Sequence, residues 1–271
     1  MDGLLLGLFM VSVGVFVGLI ESPASPVHGW ISSVVVRRAV VGAAMGLTLV
    51  VLVYSPLGAR SGAHLNPAFT IAFWRLGRIG TVDAAGYVAA QFVLGLAGCA
   101  AAGVLVGPWF SGAPVRYAAT APGLPGGWGV AAAFGAELAM TFGMLMLALY
   151  ASNTKRLASR TGWIMGLALA LLITVGSPIS GTALNPARTL ASAIPAGDFR
   201  AVWIYFVAPV LGMLAAAEVF VRVRRLPRVH CCKLNHSLRE LCPYCGCDGP
   251  IEFGAHEGEV RTAASVRRDA V

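Results

Sequence analysis

Apolar residues along this chain fall into long runs with little interior charge, and polar positions gather between the runs. Six runs are long enough to cross about 30 Å of hydrocarbon at about 1.5 Å per residue. They are, approximately, Leu4–Ile20, Ala39–Ser55, Ala84–Gly107, Trp128–Ala151, Gly162–Ser177 and Ala201–Val221. Two more apolar stretches are too short to cross. From Pro67 to Leu76 and from Pro186 to Ile194, each makes about 15 Å of helix, half a membrane. Each is headed by Asn-Pro, in "LNPAFT" and "LNPART". The pattern predicts an all-α membrane protein with six transmembrane helices and two half-length helices.

The short segments sit in equivalent places, between spans two and three and between spans five and six, with Asn66 and Asn185 119 residues apart. The "GAAMG" of Gly42–Gly46 in span two is echoed by the "GWIMG" of Gly162–Gly166 in span five. Both are small-xxx-small faces that let helices approach closely. Glu137 opens span four much as Asp2 opens span one. The chain therefore reads as two copies of a three-span unit. Three is odd, so the second copy enters the bilayer upside down and the repeat is inverted.

In such a repeat the two re-entrant half-helices dip in from opposite faces and meet head to head near the midplane. Asn66 and Asn185 cap the helix starts, while Pro67 and Pro186, at the first helical position, lose no hydrogen bond. Ala68 and Ala187 let the tips touch. Ahead of each cap, Gly62, Ala63 and His64, and Gly181 and Ala183, are expected to run as extended backbone with carbonyls facing something polar. Irregular backbone at membrane depth is tolerated only where it is buried in protein or lines a water-filled cavity.

Composition agrees with several spans: 57% hydrophobic, 12% charged, mean hydropathy +0.76. The first run lacks a basic leading region and an A-x-A-like cleavage site, so it reads as a retained span rather than a signal peptide. A net charge of +8 raises the question of nucleic acid. The cations cluster at loop edges and in the tail without interleaved aromatics, which excludes that partner and points to topology-setting charge. With both termini cytoplasmic, fifteen of the twenty Lys and Arg face inward. Arg37, Arg38, Arg116, Arg188 and Arg200 face outward, the first two against the rule. The expected location is the cell (inner) membrane.

With "SGAHLNPAFT", "LNPART", "AAQFVLG" in span three and the six-plus-two order, residues 1–222 resemble the aquaporin and glycerol-facilitator family of major intrinsic proteins. The resemblance implies a passive pore, no enzyme, no cofactor for transport, and a homotetramer with one pore per subunit. It makes Arg188, one turn past Asn185, the arginine of an outer selectivity constriction, with Thr182 in the same ring. Strict water channels place His in span five at the position of Ile173. The span-two position, usually aromatic, falls on Met45 or Gly46 because "YSPLGARSG" is one residue longer than usual. A wider, less polar constriction follows. Against this, Thr189, Ala193 and the pair Tyr205–Phe206 resemble water channels, and glycerol facilitators typically carry Asp where Thr189 stands. Glu137 would support the carbonyl ladder by receiving backbone N–H groups. Water with small neutral solutes such as glycerol is the expected cargo; metalloid acids or peroxide are the alternative.

After span six the composition shifts to "RVHCCKLNHSLRELCPYCGCDG", with five of the six cysteines between Cys231 and Cys247. Residues 223–248 form a separate cytoplasmic segment where disulfides are disfavoured and metal is the better reading. Cys242 and Cys245 make a knuckle, and Cys231 or Cys232 with His236 offers a complementary pair. The favoured set is Cys231, His236, Cys242 and Cys245, matching closed, structural zinc. Gly246 after Cys245 excludes a c-type haem site. The competing readings are a tail of free thiols and, for the whole chain, a membrane-tethered zinc or redox module. Residues 249–271 look disordered by composition.

Overall fold

The structure, a computed structural model, describes residues 1–223, 227–236 and 242–246. Cys247 and the segment 249–271 lie outside them. In chain order the helices are α1 (Asp2–Glu21), α2 (Pro26–Trp30), α3 (Val34–Tyr54), α4 (Pro56–Ser61), α5 (Pro67–Arg75) and α6 (Thr81–Val106). Then follow α7 (Pro108–Ser111), α8 (Gly126–Ser152), α9 (Thr161–Ser180), α10 (Pro186–Ala196) and α11 (Ile204–Arg222). Six of these, α1, α3, α6, α8, α9 and α11, are long and apolar enough to cross a membrane. The other two apolar segments are the short α5 and α10.

The ends of the spans are set by caps rather than by the limits of the apolar runs. α3 starts at Val34, five residues before the expected Ala39, because the Ser33 hydroxyl accepts from the N–H of Val36. That extension takes Arg37 and Arg38 into the helix. Arg37 then reaches Glu21 at the end of α1, 3.2 Å away, and donates to the carbonyl of Ile31 at 2.8 Å. One of the two cations running against the charge rule is thus held by a carboxylate and a carbonyl. α9 continues to Ser180 and α10 to Ala196, each stopping at a glycine with positive φ, Gly181 and Gly197.

The packing shows the repeat. α1 lies along α6 and α8 along α11, one such pair in each half, and α3 lies along α9 across the halves. At the α3–α9 crossing a Cβ on Gly46 would fall on the carbonyl of Gly166, and one on Gly166 would lie 2.6 Å from the carbonyl of Gly46. The two backbones touch there. α5 packs against α6 and α11, α10 packs against α6, and α5 and α10 meet. Leu47, Val51, Leu167, Leu171 and Val175 are exposed on the outer faces of α3 and α9, as helices surrounded by hydrocarbon require.

Candidate functional site

The tips of α5 and α10 are built from the same local parts. Asn66 and Asn185 hold extended φ of −155° and −151°, and each side-chain oxygen accepts from the new helix. Asn66 Oδ1 accepts from Ala68 N at 2.9 Å; Asn185 Oδ1 accepts from Ala187 N at 3.0 Å and Arg188 N at 3.2 Å. Each amide nitrogen then crosses to the other loop. Asn66 Nδ2 donates to Leu184 O at 2.8 Å, and Asn185 Nδ2 donates to Leu65 O at 2.7 Å. One of the two N–H groups on each amide is used in this clamp, which leaves one each for the cavity they line.

The backbone ahead of each tip is not uniformly extended, as the sequence suggested. It is left-handed at Gly62 (φ 98°), Ala63 (56°) and Leu65 (50°), and at Gly181 (78°), Thr182 (51°) and Leu184 (57°), positions that match one for one between the halves. A non-glycine residue in that region costs roughly 1–2 kcal/mol. Two buried carboxylates hold the strained loops. Glu137 accepts from Ala183 N at 2.9 Å, Leu184 N at 2.7 Å and Ser180 Oγ at 2.7 Å. Asp2 accepts from His64 N at 2.9 Å, Leu65 N at 3.0 Å and Ser61 Oγ at 3.3 Å, and also from Gln91 Nε2 at 2.6 Å.

The hydroxyls follow the same rule: Tyr87 donates to Ser61 O at 2.8 Å and Tyr205 to Ser180 O at 2.7 Å. Sequence reasoning assigned this support to Glu137 and missed Asp2, Tyr87, Ser61 and Ser180. The signal existed for Asp2, which the repeat pairs with Glu137, although Asp2 is the first residue of α1 while Glu137 lies well inside α8 rather than opening it as expected. Tyr205 is fully buried and braces a loop, and its neighbour Phe206 stacks on Phe92 at 6.1 Å, between α11 and α6.

A cavity of about 370 Å³ passes the two tips. Met45, Ile173, Thr182 and Arg188 are on its wall. Gly46 is turned to Gly166 instead, so of the two span-two alternatives only Met45 borders the cavity, with Val41 one turn outward on the same face. Arg188 is half-buried, with Nη1 lacking a hydrogen-bond partner among the described residues. Ala63, His64, Gly181 and Ala183 line the cavity; Gly62 does not, because its carbonyl accepts from Leu234 N at 3.2 Å. Leu234, from beyond α11, is itself part of the wall.

That tail segment brings Cys231, His236, Cys242 and Cys245 together, with ligand atoms all within 4.8 Å of one another. Cys231 Sγ and Cys242 Sγ are 3.7 Å apart, and Cys245 Sγ and His236 Nε2 3.9 Å. Burial pushes the Cys231 thiol well up, while hydrogen bonds from the Cys231 and Cys245 thiols hold Cys242 low. Across the molecule, Asp198 joins Arg200 at 2.7 Å and Arg116 at 3.3 Å, and its hydrogen bond with Arg200 holds its carboxyl below the usual range.

Six crossing helices around two head-to-head half-helices, with a cavity running past both tips, define a transmembrane channel of inverted-repeat design. Residues 5–220 match the family model described as major intrinsic protein. The chain belongs to that family, whose members are channels and not enzymes, and is a multi-pass integral membrane protein. It is similar to Aquaporin NIP3-1 of Zea mays, 32% identical over 213 residues, covering 78% of this chain and 68% of that protein. It is also similar to Nodulin-26 of Glycine max, 36% identical over 180 residues, covering 66% of this chain and 60% of that one. The chain thus spans roughly three fifths to two thirds of these relatives' own length. In fold it resembles the X-ray structure of the aquaglyceroporin from Plasmodium falciparum, with a TM-score of 0.64, 20% identity, and coverage of 82% of this chain and 94% of that one.

Proposed function

We propose that the chain is a passive channel for water and small neutral solutes such as glycerol, and that it excludes protons and ions. The carrying observation is the clamp of the two asparagines. It fixes two helix N-termini at the centre of the cavity, about half a positive charge each, with one amide N–H of each Asn left for the file. A water oxygen accepting from both turns its hydrogens away from its neighbours and interrupts proton relay. A cation meets positive potential in low dielectric and is turned back. Arg188 adds a cationic barrier in series, one turn outward.

The wall that includes Arg188 also carries Met45, Val41 and Ile173, apolar side chains that would suit a solute wider than water. The same wall favours a second cargo, uncharged metalloid acids or peroxide, whose hydroxyls Arg188 and Thr182 can meet. The proposal includes both termini in the cytoplasm of the cell membrane and a homotetramer with one pore per subunit. A membrane-tethered zinc or redox module would need neither the paired asparagines nor an arginine at membrane depth, so that reading is set aside.

The test is stopped-flow light scattering of proteoliposomes holding the full chain, in buffer with a membrane-permeant zinc chelator. Water and glycerol permeability should exceed those of empty vesicles severalfold, with no faster decay of a pH gradient. Water flux without glycerol flux would remove the wide constriction. Flux of neither would remove the channel reading.

A further inference from the structure

Beside Gly62, the wall of the cavity is completed by a segment from beyond α11. Beyond α11, the segment 229–236 turns back across the mouth and docks at four places. His230 N donates to Asn153 Oδ1, at the end of α8, at 2.8 Å. Cys232 O accepts from His64 Nε2 at 3.0 Å. Leu234 N donates to Gly62 O at 3.2 Å, and Asn235 Nδ2 to Val53 O, near the end of α3, at 3.4 Å. Tyr244 adds a hydroxyl contact to Tyr87, the residue that braces Ser61.

The segment is as buried as a core element: Cys232 is 0% exposed, Leu234 4%, Asn235 6% and even Lys233 8%. It borders the path beside the first loop. Leu234 is a wall residue of the cavity, and Gly62 spends its carbonyl on Leu234 instead of on a passing solute.

On both sides of this plug in sequence stand the four clustered side chains. Cys231 and His236 bracket residues 232–235 directly, and Cys242 and Cys245 come from the knuckle that follows. Tetrahedral zinc, with Zn–S about 2.3 Å and Zn–N about 2.0–2.1 Å, sets ligand atoms about 3.5–3.8 Å apart. Two of the pairs already measure 3.7 Å for sulfur to sulfur and 3.9 Å for sulfur to nitrogen, and all four ligand atoms lie within 4.8 Å, so the set closes on an ion with side-chain shifts of no more than about one ångström.

A second observation points to the same occupant. Three thiolates and a neutral imidazole around Zn²⁺ carry one net negative charge. Arg78 lies within electrostatic reach of Cys231, Cys232 and Cys245, with buried Nε and Nη1 that have no hydrogen-bond partner among the described residues. A half-buried guanidinium within electrostatic reach of these sulfurs is what an anionic zinc–thiolate centre would call for.

We infer that Cys231, His236, Cys242 and Cys245 bind a zinc ion that staples residues 232–235 into the inner mouth, so that zinc-loaded protein is a closed channel and loss of the metal opens it. The ion joins the two ends of the plug to the knuckle and closes a loop of only a few residues. Without it, the segment is held by four hydrogen bonds, of which Leu234 makes one. The inference rests on the channel reading and adds to it a ligand that controls flux.

The experiment uses the full chain, purified with zinc and reconstituted. Bound metal is read by atomic emission, and water and glycerol permeability by stopped flow. The expected result is one zinc per chain, with permeability rising severalfold when a membrane-permeant chelator is added and falling again when zinc is restored. Cys242→Ser with Cys245→Ser should retain no zinc and should conduct at the higher rate with or without chelator. Leu234→Ala should retain its zinc and conduct faster than the parent in the zinc-loaded state, which separates the plug from the metal. A parent that binds no zinc, or that conducts equally fast with zinc bound and removed, overturns the inference while leaving the channel intact. No flux from any form in any condition overturns the channel reading and this inference together.

Discussion

Two kinds of residue decide what this protein can do, those that face the cavity and those that hold them there. Arg188 is of the first kind. Replacing it with Val leaves both asparagines and both helix N-termini in place and, on the proposed reading, removes only the cationic barrier. In chelator-treated vesicles Arg188→Val should pass urea severalfold faster than the parent, while pH-gradient decay rises less than in a variant also altered at Asn66 and Asn185. Unchanged urea flux would place Arg188 off the conduction path. Asp2 and Glu137 are of the second kind. Each receives two backbone N–H groups from the loops, one of them from a left-handed residue, Leu65 or Leu184. Asp2→Asn and Glu137→Gln each keep the shape but reduce the acceptors, leaving one buried donor unmatched at about 1–3 kcal/mol. Thermal unfolding in detergent should show comparable losses for the two. A large effect at Glu137 with none at Asp2 would contradict the symmetry drawn from their contacts.

At the scale of elements, the half-helices needed little beyond their own sequence. Asn before Pro caps and starts a helix by contacts within three residues, so the starts at Pro67 and Pro186 were legible to the residue. The span ends were less so: Ser33 started α3 five residues early, where the apolar run had not yet begun. Which face of a span looks inward depends on its neighbours. Met45 and Gly46 are adjacent in sequence, yet one borders the cavity and the other touches Gly166. Gly46→Leu should therefore act on packing, costing about 1–3 kcal/mol by forcing α3 from α9. Gly143→Leu, where an added Cβ meets nothing within 4 Å, is the control. Thermal unfolding in detergent checks both; equal stability of the two variants would mean the α3–α9 contact is looser than it looks.

The whole molecule is tied together at its two ends by different chemistry. At one face, Asp198 joins Arg116, before α8, to Arg200, after α10. Its carboxyl is held low by Arg200, so the stability it supplies is present above the ordinary carboxylate value, about 4, and is lost as pH falls through its own lower value. Asp198→Asn should be less stable than the parent at pH 6, and the gap should close toward pH 3, followed by thermal unfolding across that range. A gap that stays constant would show that charge at Asp198 is not what matters. At the opposite face the tie is the tail on the first loop.

Local order and coarse architecture followed from the sequence alone: six spans, two Asn-capped half-helices, the inverted repeat, and Glu137 as a loop support. The first three rest on helix length, capping or internal similarity, which act over a few residues or repeat along the chain; the role of Glu137 came from the family resemblance. The tertiary structure decided the rest. The partnership of Asp2 with His64 and Leu65, the braces from Tyr87 and Tyr205, the turning of Gly46 onto Gly166, and the docking of Leu234 on Gly62 all join groups far apart in sequence. Hydrogen bonds and close packing of this kind are fixed only when remote backbones are brought to a few ångströms. A hydrophobicity pattern records which residues leave water, and not which partner each one meets.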